Sequence, residues 1–192
     1  MRRSVLLMLL LALVLAGCGQ PSVHSSDELQ EDTHLAQQLF LADFSRNYEV
    51  LYVLTGDILE AAGDLSVVRK ETELMENTST RRFFSYHLCE IQNDFLPEGP
   101  QEALDAYYEA FWQYTDALAC YTQEHSTLSP EMEQALQGLA DFLPQQVPYV
   151  IKHEWFDLDE AETGQAVSWL QDCTEHLRSV VRQAEAEDTA SG

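Results

Sequence analysis

The sequence predicts an all-α fold, an antiparallel up-down helical bundle of about five helices. Apolar residues recur at three- and four-residue steps through most of the chain, which is the period of a helix with one buried face. Sustained two-residue alternation and hairpin turn pairs such as Asn-Gly are absent from the sequence, so no strand pattern competes. The breaks between periodic stretches are short, which favours helices that fold back on their neighbours.

The first helix follows a capping-box pattern formed by Ser25 and Glu28. Its apolar stripe comprises Phe40, Phe44, Tyr48, Leu51, Ile58 and Ala62. Gly56 lies within this stripe and is expected to mark a kink or a close contact. Gly63 and Asp64 are expected to end the helix.

A second helical stretch starts near Leu65 and has a charged first part. Residues 77–80, Asn-Thr-Ser-Thr, are expected to interrupt it, because these side chains compete for backbone hydrogen bonds. Its second part carries an apolar stripe of Phe84, Leu88, Ile91 and Phe95. Residues 97–100, Pro-Glu-Gly-Pro, form the clearest break in the chain, and Pro100 suits the first position of the next helix.

The third helix is predicted from about Gln101 to His125. Alanine and tyrosine alternate on it at heptad spacing, at Ala103, Tyr107, Ala110, Tyr114, Ala117 and Tyr121. Because tyrosine combines a large apolar ring with a polar hydroxyl, this row either packs in the core and at its rim or lines a ligand groove.

Two further helices complete the predicted bundle. Ser129 and Pro130 form the start signal of the fourth, whose stripe is Met132, Leu136, Leu139 and Leu143. Pro144 is expected to break or kink it, and a short helical piece is expected at 149–156. Asp157 and Glu160 repeat the capping pattern before the last helix. That helix carries Ala166, Leu170, Cys173, Leu177, Val180 and Ala184 at heptad positions.

The N-terminus has the layout of an export signal. Arg2 and Arg3 precede an apolar run from Val5 to Ala16, which is 12 residues long and too short for the ~20 residues of a membrane-spanning helix. The run closes with Leu-Ala-Gly-Cys at positions 15–18, which resembles the lipobox of bacterial lipoproteins. The resemblance implies cleavage between Gly17 and Cys18, a diacylglycerol thioether on Cys18 and acylation of the new amine. An ordinary signal peptide is the alternative, but its site matches poorly around Ala16.

These features predict four segments. Residues 1–17 are a lipoprotein signal peptide that is removed, and residues 18–26 are a lipidated tether. Residues 27–185 form the helical bundle, and residues 186–192 form an acidic disordered tail. The eight residues after Cys18 extend at most ~28 Å, which keeps the bundle close to its membrane.

The chain without its signal peptide is strongly acidic. It has 33 acidic residues against 8 basic ones, a formal charge of −25. Nucleic acid is therefore excluded as a partner, and anionic lipid headgroups would repel the surface, so the acyl chains must hold the protein at the membrane. Four basic residues fall in one stretch, Arg69, Lys70, Arg81 and Arg82. They either pair with neighbouring acids or contact an anionic ligand.

Two histidine–carboxylate pairs have the spacing of metal ligands. His87-x-x-Glu90 resembles part of the Gly-x-His-x-x-Glu motif of imelysin-like exported helical proteins, with Ser85 in the place of the glycine. The resemblance implies iron handling, and His87 and Glu90 are weak metal candidates; a salt bridge or hydrogen bond on the helix flank is the alternative. Glu31-x-x-His34 has the spacing of di-iron carboxylate bundles but lacks their second pair, so we interpret it as a solvated face.

Three cysteines follow Cys18, namely Cys89, Cys120 and Cys173. An odd number cannot pair fully within the chain, and buried free cysteine is common, so no disulfide is predicted; the alternative is a single disulfide, for which Cys120 with Cys173 is the best pair. Cys173-x-x-His176 has ligand-like spacing, but Cys173 also fits the apolar heptad, which favours a buried thiol.

The sequence contains no motif for nucleophilic catalysis, zinc-dependent hydrolysis or phosphate binding, and no cofactor is predicted. The leading hypothesis is a non-enzymatic binding or scaffolding role in the bacterial cell envelope, with a protein partner of unknown identity. The first alternative is a small-ligand or metal-binding helical module that uses His87 and Glu90. The second is a hydrolase whose site is assembled from distant helices.

Overall fold

The computed structural model describes residues 26–77, 98–145 and 158–191, with side chains described over 38–74, 99–143 and 158–189. Within these ranges the chain forms five α-helices and no strand, which confirms the predicted all-α helical bundle. The helices are α1 (Ser26–Glu60), α2 (Arg69–Asn77), α3 (Glu98–Glu124), α4 (Pro130–Gln145) and α5 (Glu160–Ser191), and a short 3₁₀ helix (Leu65–Val67) precedes α2.

Internal contacts divide the chain into two units, Met1–Ala36 and Gln37–Gly192. Of the first unit the structure describes the helical backbone of residues 26–36. The second unit contains the hydrophobic core and all the side chains considered below.

The direction of the long helices follows from the aromatic contacts at one end and the polar contacts at the other. Tyr107 of α3 lies 6.2 Å from Trp169 of α5 between ring centroids, and Phe44 of α1 lies 5.6 Å from Tyr107. Further along both helices, the hydroxyl of Tyr121 in α3 donates to Glu187 in α5. Helices α3 and α5 therefore run in the same direction.

Helix α4 runs the opposite way. Phe142, near its end, stacks on Trp169 with 5.8 Å between centroids, whereas Ser129, just before its start, contacts Glu187. The hydroxyl of Tyr48 in α1 donates to the carbonyl of Leu143 at 2.9 Å. Helix α4, which is antiparallel to α5, thus packs against both α1 and α5, as an up-down arrangement requires.

The predicted apolar stripes form the core. Every member of the α5 heptad is buried, from Ala166 to Ala184, and so are the four predicted stripe residues of α4. In α1, Phe40, Phe44, Leu51 and Ile58 are buried as well. Side-chain periodicity therefore identified the inward faces of these helices correctly.

The connections after α1 and after α3 are hydrogen-bonded to each other. The backbone N–H of Leu65 donates to the carbonyl of Ser126, and the N–H of Leu128 donates to the carbonyl of Ala62, both at 2.9 Å. Asp64 accepts a hydrogen bond from the N–H of Ser66 and so caps the 3₁₀ helix. This network fixes the start of α2 against the end of α3.

Two predicted helix starts need correction. Helix α3 spans Glu98–Glu124 in the described residues and so already includes Glu98 and Gly99, which means that Pro100 is not its first residue. At α5 the reciprocal capping pair is Asp159 with Glu162, two residues beyond the predicted pair: the N–H of Asp159 donates to Glu162 and the N–H of Glu162 donates to Asp159.

Two other predictions from the sequence differ from the observed helices. Helix α1 continues through Gly56, where an added Cβ would meet nothing within 4 Å, so no close contact explains this glycine. Helix α5 continues through Ser191, into the segment 186–192 for which the sequence predicted a disordered tail.

Candidate functional site

Several predicted site residues lie outside the described part of the chain. These are the cleavage and lipid-attachment residues Gly17 and Cys18, the weak metal candidates His87 and Glu90, and Cys89. For Glu31 and His34 the helical backbone is described but the side chains are not.

The tyrosine row of α3 belongs to the core. Tyr107, Tyr114 and Tyr121 all have 0% exposed surface, so the packing interpretation replaces the ligand groove. The hydroxyl of Tyr114 lies 2.7 Å from that of Thr55, which itself donates to the carbonyl of Leu51 at 2.6 Å. Burial raises the pKa of Tyr114 and of Tyr107 above the ordinary tyrosine value, so both rings are neutral.

Two buried donors at the aromatic end of the bundle differ from this pattern. The hydroxyl of Tyr107 and Nε1 of Trp169 find no hydrogen-bond acceptor among the described residues. Both side chains pack against Phe44. Apolar packing is therefore what holds these two side chains in the described structure.

The Cys173–His176 pair is divided between two environments. Cys173 is buried in the core, and burial raises the pKa of its thiol well above the ordinary value. His176 instead stacks on Phe142, with 4.8 Å between centroids, in a surface groove of about 410 Å³. Cys120 is exposed on α3, and no disulfide joins it to Cys173. Cys173 and His176 therefore do not form a site together, although their spacing resembles that of a ligand pair.

A groove of about 510 Å³ runs between the parallel helices α3 and α5. The lining side chains are Gln113, Asp116, Ala117, Cys120, Arg178, Val181, Arg182, Ala184, Glu185 and Asp188. Two arginines in so acidic a chain give this groove both signs of charge beside small apolar side chains.

A polar cluster joins α3, α4 and α5 beside this groove. Glu187 accepts hydrogen bonds from the hydroxyl of Tyr121 at 2.9 Å, the hydroxyl of Ser129 at 2.5 Å and Nε2 of Gln183 at 2.7 Å. Ser129 also caps α4 by accepting from the N–H of Met132. Burial raises the pKa of Glu187, but the hydrogen bonds from these three partners outweigh it, and the net pKa is lowered.

Next to this cluster lie three side chains with metal-ligating atoms. Glu124, His125 and Asp188 each offer one ligand atom, and these atoms lie within 4.8 Å of one another. The imidazole of His125 stacks on the ring of Tyr121, with 4.2 Å between centroids and 21° between planes. Local spacing could not predict this group, because Asp188 of α5 meets Glu124 and His125 at the end of α3 only in the folded bundle.

The basic stretch has a structural role at Arg69. Its Nε donates to the carbonyl of Thr122 at 2.7 Å, near the end of α3, where backbone carbonyls lack intrahelical partners. Arg69 therefore supplies a hydrogen-bond donor to a carbonyl at the C-terminal end of α3. Arg81 and Arg82 lie outside the described residues.

Comparisons with protein-family models, with curated proteins and with solved structures found no match for this chain. Among the described helices, none combines the length and apolar character that crossing a membrane requires.

Proposed function

We propose that this protein is an exported bacterial lipoprotein, attached to a membrane through Cys18, whose helical bundle binds a protein partner on the extracytoplasmic side. The sequence Leu-Ala-Gly-Cys at 15–18, after two arginines and a 12-residue apolar run, carries the anchoring part of the proposal. Attachment through two or more acyl chains gives stable anchoring without help from surface charge.

The groove between α3 and α5 supports the binding part. Arg178 and Arg182 lie on its α5 wall, and Asp116 lies on its α3 wall. A trough of this kind between two helices accepts a helix or an extended segment, with charged side chains that select the partner and set its register. We therefore propose a non-enzymatic binding or scaffolding role in the cell envelope.

The anchoring is tested by Cys18→Ser in the full chain. We expect the variant to lose incorporation of labelled palmitate and to leave the membrane fraction, because the thioether cannot form. The matched control is Cys120→Ser, which removes an exposed thiol on α3 and should keep both the label and the membrane association. Persistence of the Cys18→Ser variant in the membrane fraction would contradict the proposal.

The binding surface is tested by photo-crosslinking in intact cells. A photoreactive residue at Gln113, which lines the groove, should give a discrete adduct with one envelope protein. The same residue at Gln137, an exposed position on α4 outside the groove, is the control and should give none. Absence of an adduct at Gln113, or equal adducts at both positions, would count against the groove.

A further inference from the structure

We propose that Glu124, His125 and Asp188 form a binding site for a divalent transition-metal cation, with zinc as the test ion. The site uses neither His87 nor Glu90, and the proposal does not depend on the proposed lipid anchor. It lies where the end of α3 meets the last turns of α5.

The distance between two of the ligand atoms leaves room for a bridging ion. Nε2 of His125 and Oδ1 of Asp188 face each other at 3.6 Å, which is within the range of an ion pair but longer than a hydrogen bond. Both atoms are shielded from solvent and have no hydrogen-bond partner within the described ranges. A zinc ion ~2.1 Å from each atom would subtend an angle of about 120° over that 3.6 Å separation, close to tetrahedral geometry.

The donor set selects the class of cation. One imidazole nitrogen and two carboxylate oxygens suit zinc and its transition-metal neighbours, whereas calcium and magnesium prefer oxygen ligands alone. A group of exposed carboxylates would be common without any ion. Nε2 of His125 distinguishes this cluster: the His125 side chain is 23% exposed, but this atom is shielded from solvent and, although it faces Asp188, has no hydrogen-bond partner in the described ranges. A shielded nitrogen without a hydrogen bond is unfavourable unless something binds it.

The imidazole is held in place before an ion arrives. Tyr121 stacks on His125, and its own hydroxyl donates to Glu187 while it accepts from the N–H of Ser129. A stacked ring that is itself held by two hydrogen bonds restricts the orientation of the imidazole. Little conformational entropy is therefore lost at this residue on binding.

An ion can also reach the site. Glu124 is exposed, and Asp188 lines the groove between α3 and α5. Three protein ligands leave a fourth tetrahedral position for water or for a group from a bound partner.

The test uses the full chain, purified in a mild detergent, stripped with a chelator and titrated with Zn²⁺ by calorimetry; Ca²⁺ is titrated in parallel. We expect zinc to bind and calcium to give no heat. His125→Asn and Asp188→Asn should each weaken zinc binding at least about tenfold, because each removes a ligand atom; Asp188→Asn does so without a change of side-chain size. Nitrogen NMR of the histidines should show that zinc shifts Nε2 of His125.

The controls are His176→Asn, which alters a half-buried histidine on α5 outside the cluster, and His87→Asn, which tests the pair singled out in the sequence. Both should retain wild-type zinc affinity, and circular dichroism should show the same helical content for all variants. Two results would overturn the proposal. One is the absence of zinc binding, which leaves a simple histidine–aspartate ion pair; the other is unchanged affinity in His125→Asn and Asp188→Asn.

Discussion

Two buried tyrosines on the same face of α3 differ in their hydrogen bonding. Tyr114 shares a hydrogen bond with Thr55, whereas the hydroxyl of Tyr107 has no acceptor in the part of the chain that the structure describes. A buried hydroxyl with a partner stabilises the fold, and one without a partner destabilises it. The two residues therefore form a natural comparison.

We expect Tyr114→Phe to lower the free energy of unfolding by about 1 to 2 kcal/mol, since it removes the buried bond to Thr55. Tyr107→Phe should leave stability unchanged or raise it slightly, because it removes a hydroxyl that has no described acceptor. Urea unfolding of both variants measures the difference. A larger loss for Tyr107→Phe than for Tyr114→Phe would contradict this account.

Residue types and local spacing predicted burial well and juxtaposition poorly. The heptad placed Cys173 in the core, and the structure agrees. His125 and Asp188 could not be paired from the sequence, since their approach depends on how far α5 slides along α3. That register is set by side-chain packing along both helices, which periodicity does not encode.

At the scale of the element, Glu187 connects the last turns of α5 to two other helices. It accepts from Tyr121 of α3 and from Ser129, the residue that caps α4. Apolar periodicity ends near Ala184, and so the sequence predicted a disordered tail beyond it. The continuation of α5 to Ser191 depends instead on polar contacts, which carry no periodic signal.

We expect Glu187→Ala to destabilise the protein by about 1 to 3 kcal/mol, because it leaves hydroxyl donors of Tyr121 and Ser129 without their acceptor. Amide exchange at Met132 should also accelerate as the α4 cap loosens. Glu185→Ala is the control: Glu185 is exposed on the same helix and has the same charge. Equal effects of the two substitutions would argue against the connecting role of Glu187.

At the scale of the whole molecule, three weak acids are buried in one core. Burial raises the pKa of Tyr107, Tyr114 and Cys173 above their ordinary values of 10.0 for tyrosine and 9.0 for cysteine. The unfolded chain therefore loses these protons at lower pH than the folded chain. Their contribution to stability is complete below the unfolded pKa values and is lost as the pH rises through the folded ones.

We expect the urea midpoint, measured under reducing conditions, to fall as the pH approaches and passes 9.0, the pH at which the unfolded thiol is half ionised. Each group contributes a slope of up to ~1.4 kcal/mol per pH unit. Cys173→Ala should reduce this slope, because it removes one of the three acids. A midpoint that stays constant to pH 10.5 would contradict the burial argument.

The fold class was predictable at this scale because each helix carries its own apolar stripe and the breaks between stripes are marked by Gly, Pro and capping residues. The exact first residues of α3 and α5 were harder to predict from the sequence. Asp157 and Asp159 are both followed three residues later by a glutamate, and only the packed structure selects Asp159.

The paired connections after α1 and α3 have a consequence for how the bundle opens. Loop tips are ordinarily the sites at which proteases cut and insertions are tolerated. Here the two backbone bonds, Leu65 to Ser126 and Leu128 to Ala62, belong to both loops at once. Displacement of either loop exposes hydrogen-bonding groups of the other. The α1–α2 loop and the α3–α4 loop should therefore open as one cooperative unit, and the amide hydrogens of both loops should exchange with solvent with similar opening free energies.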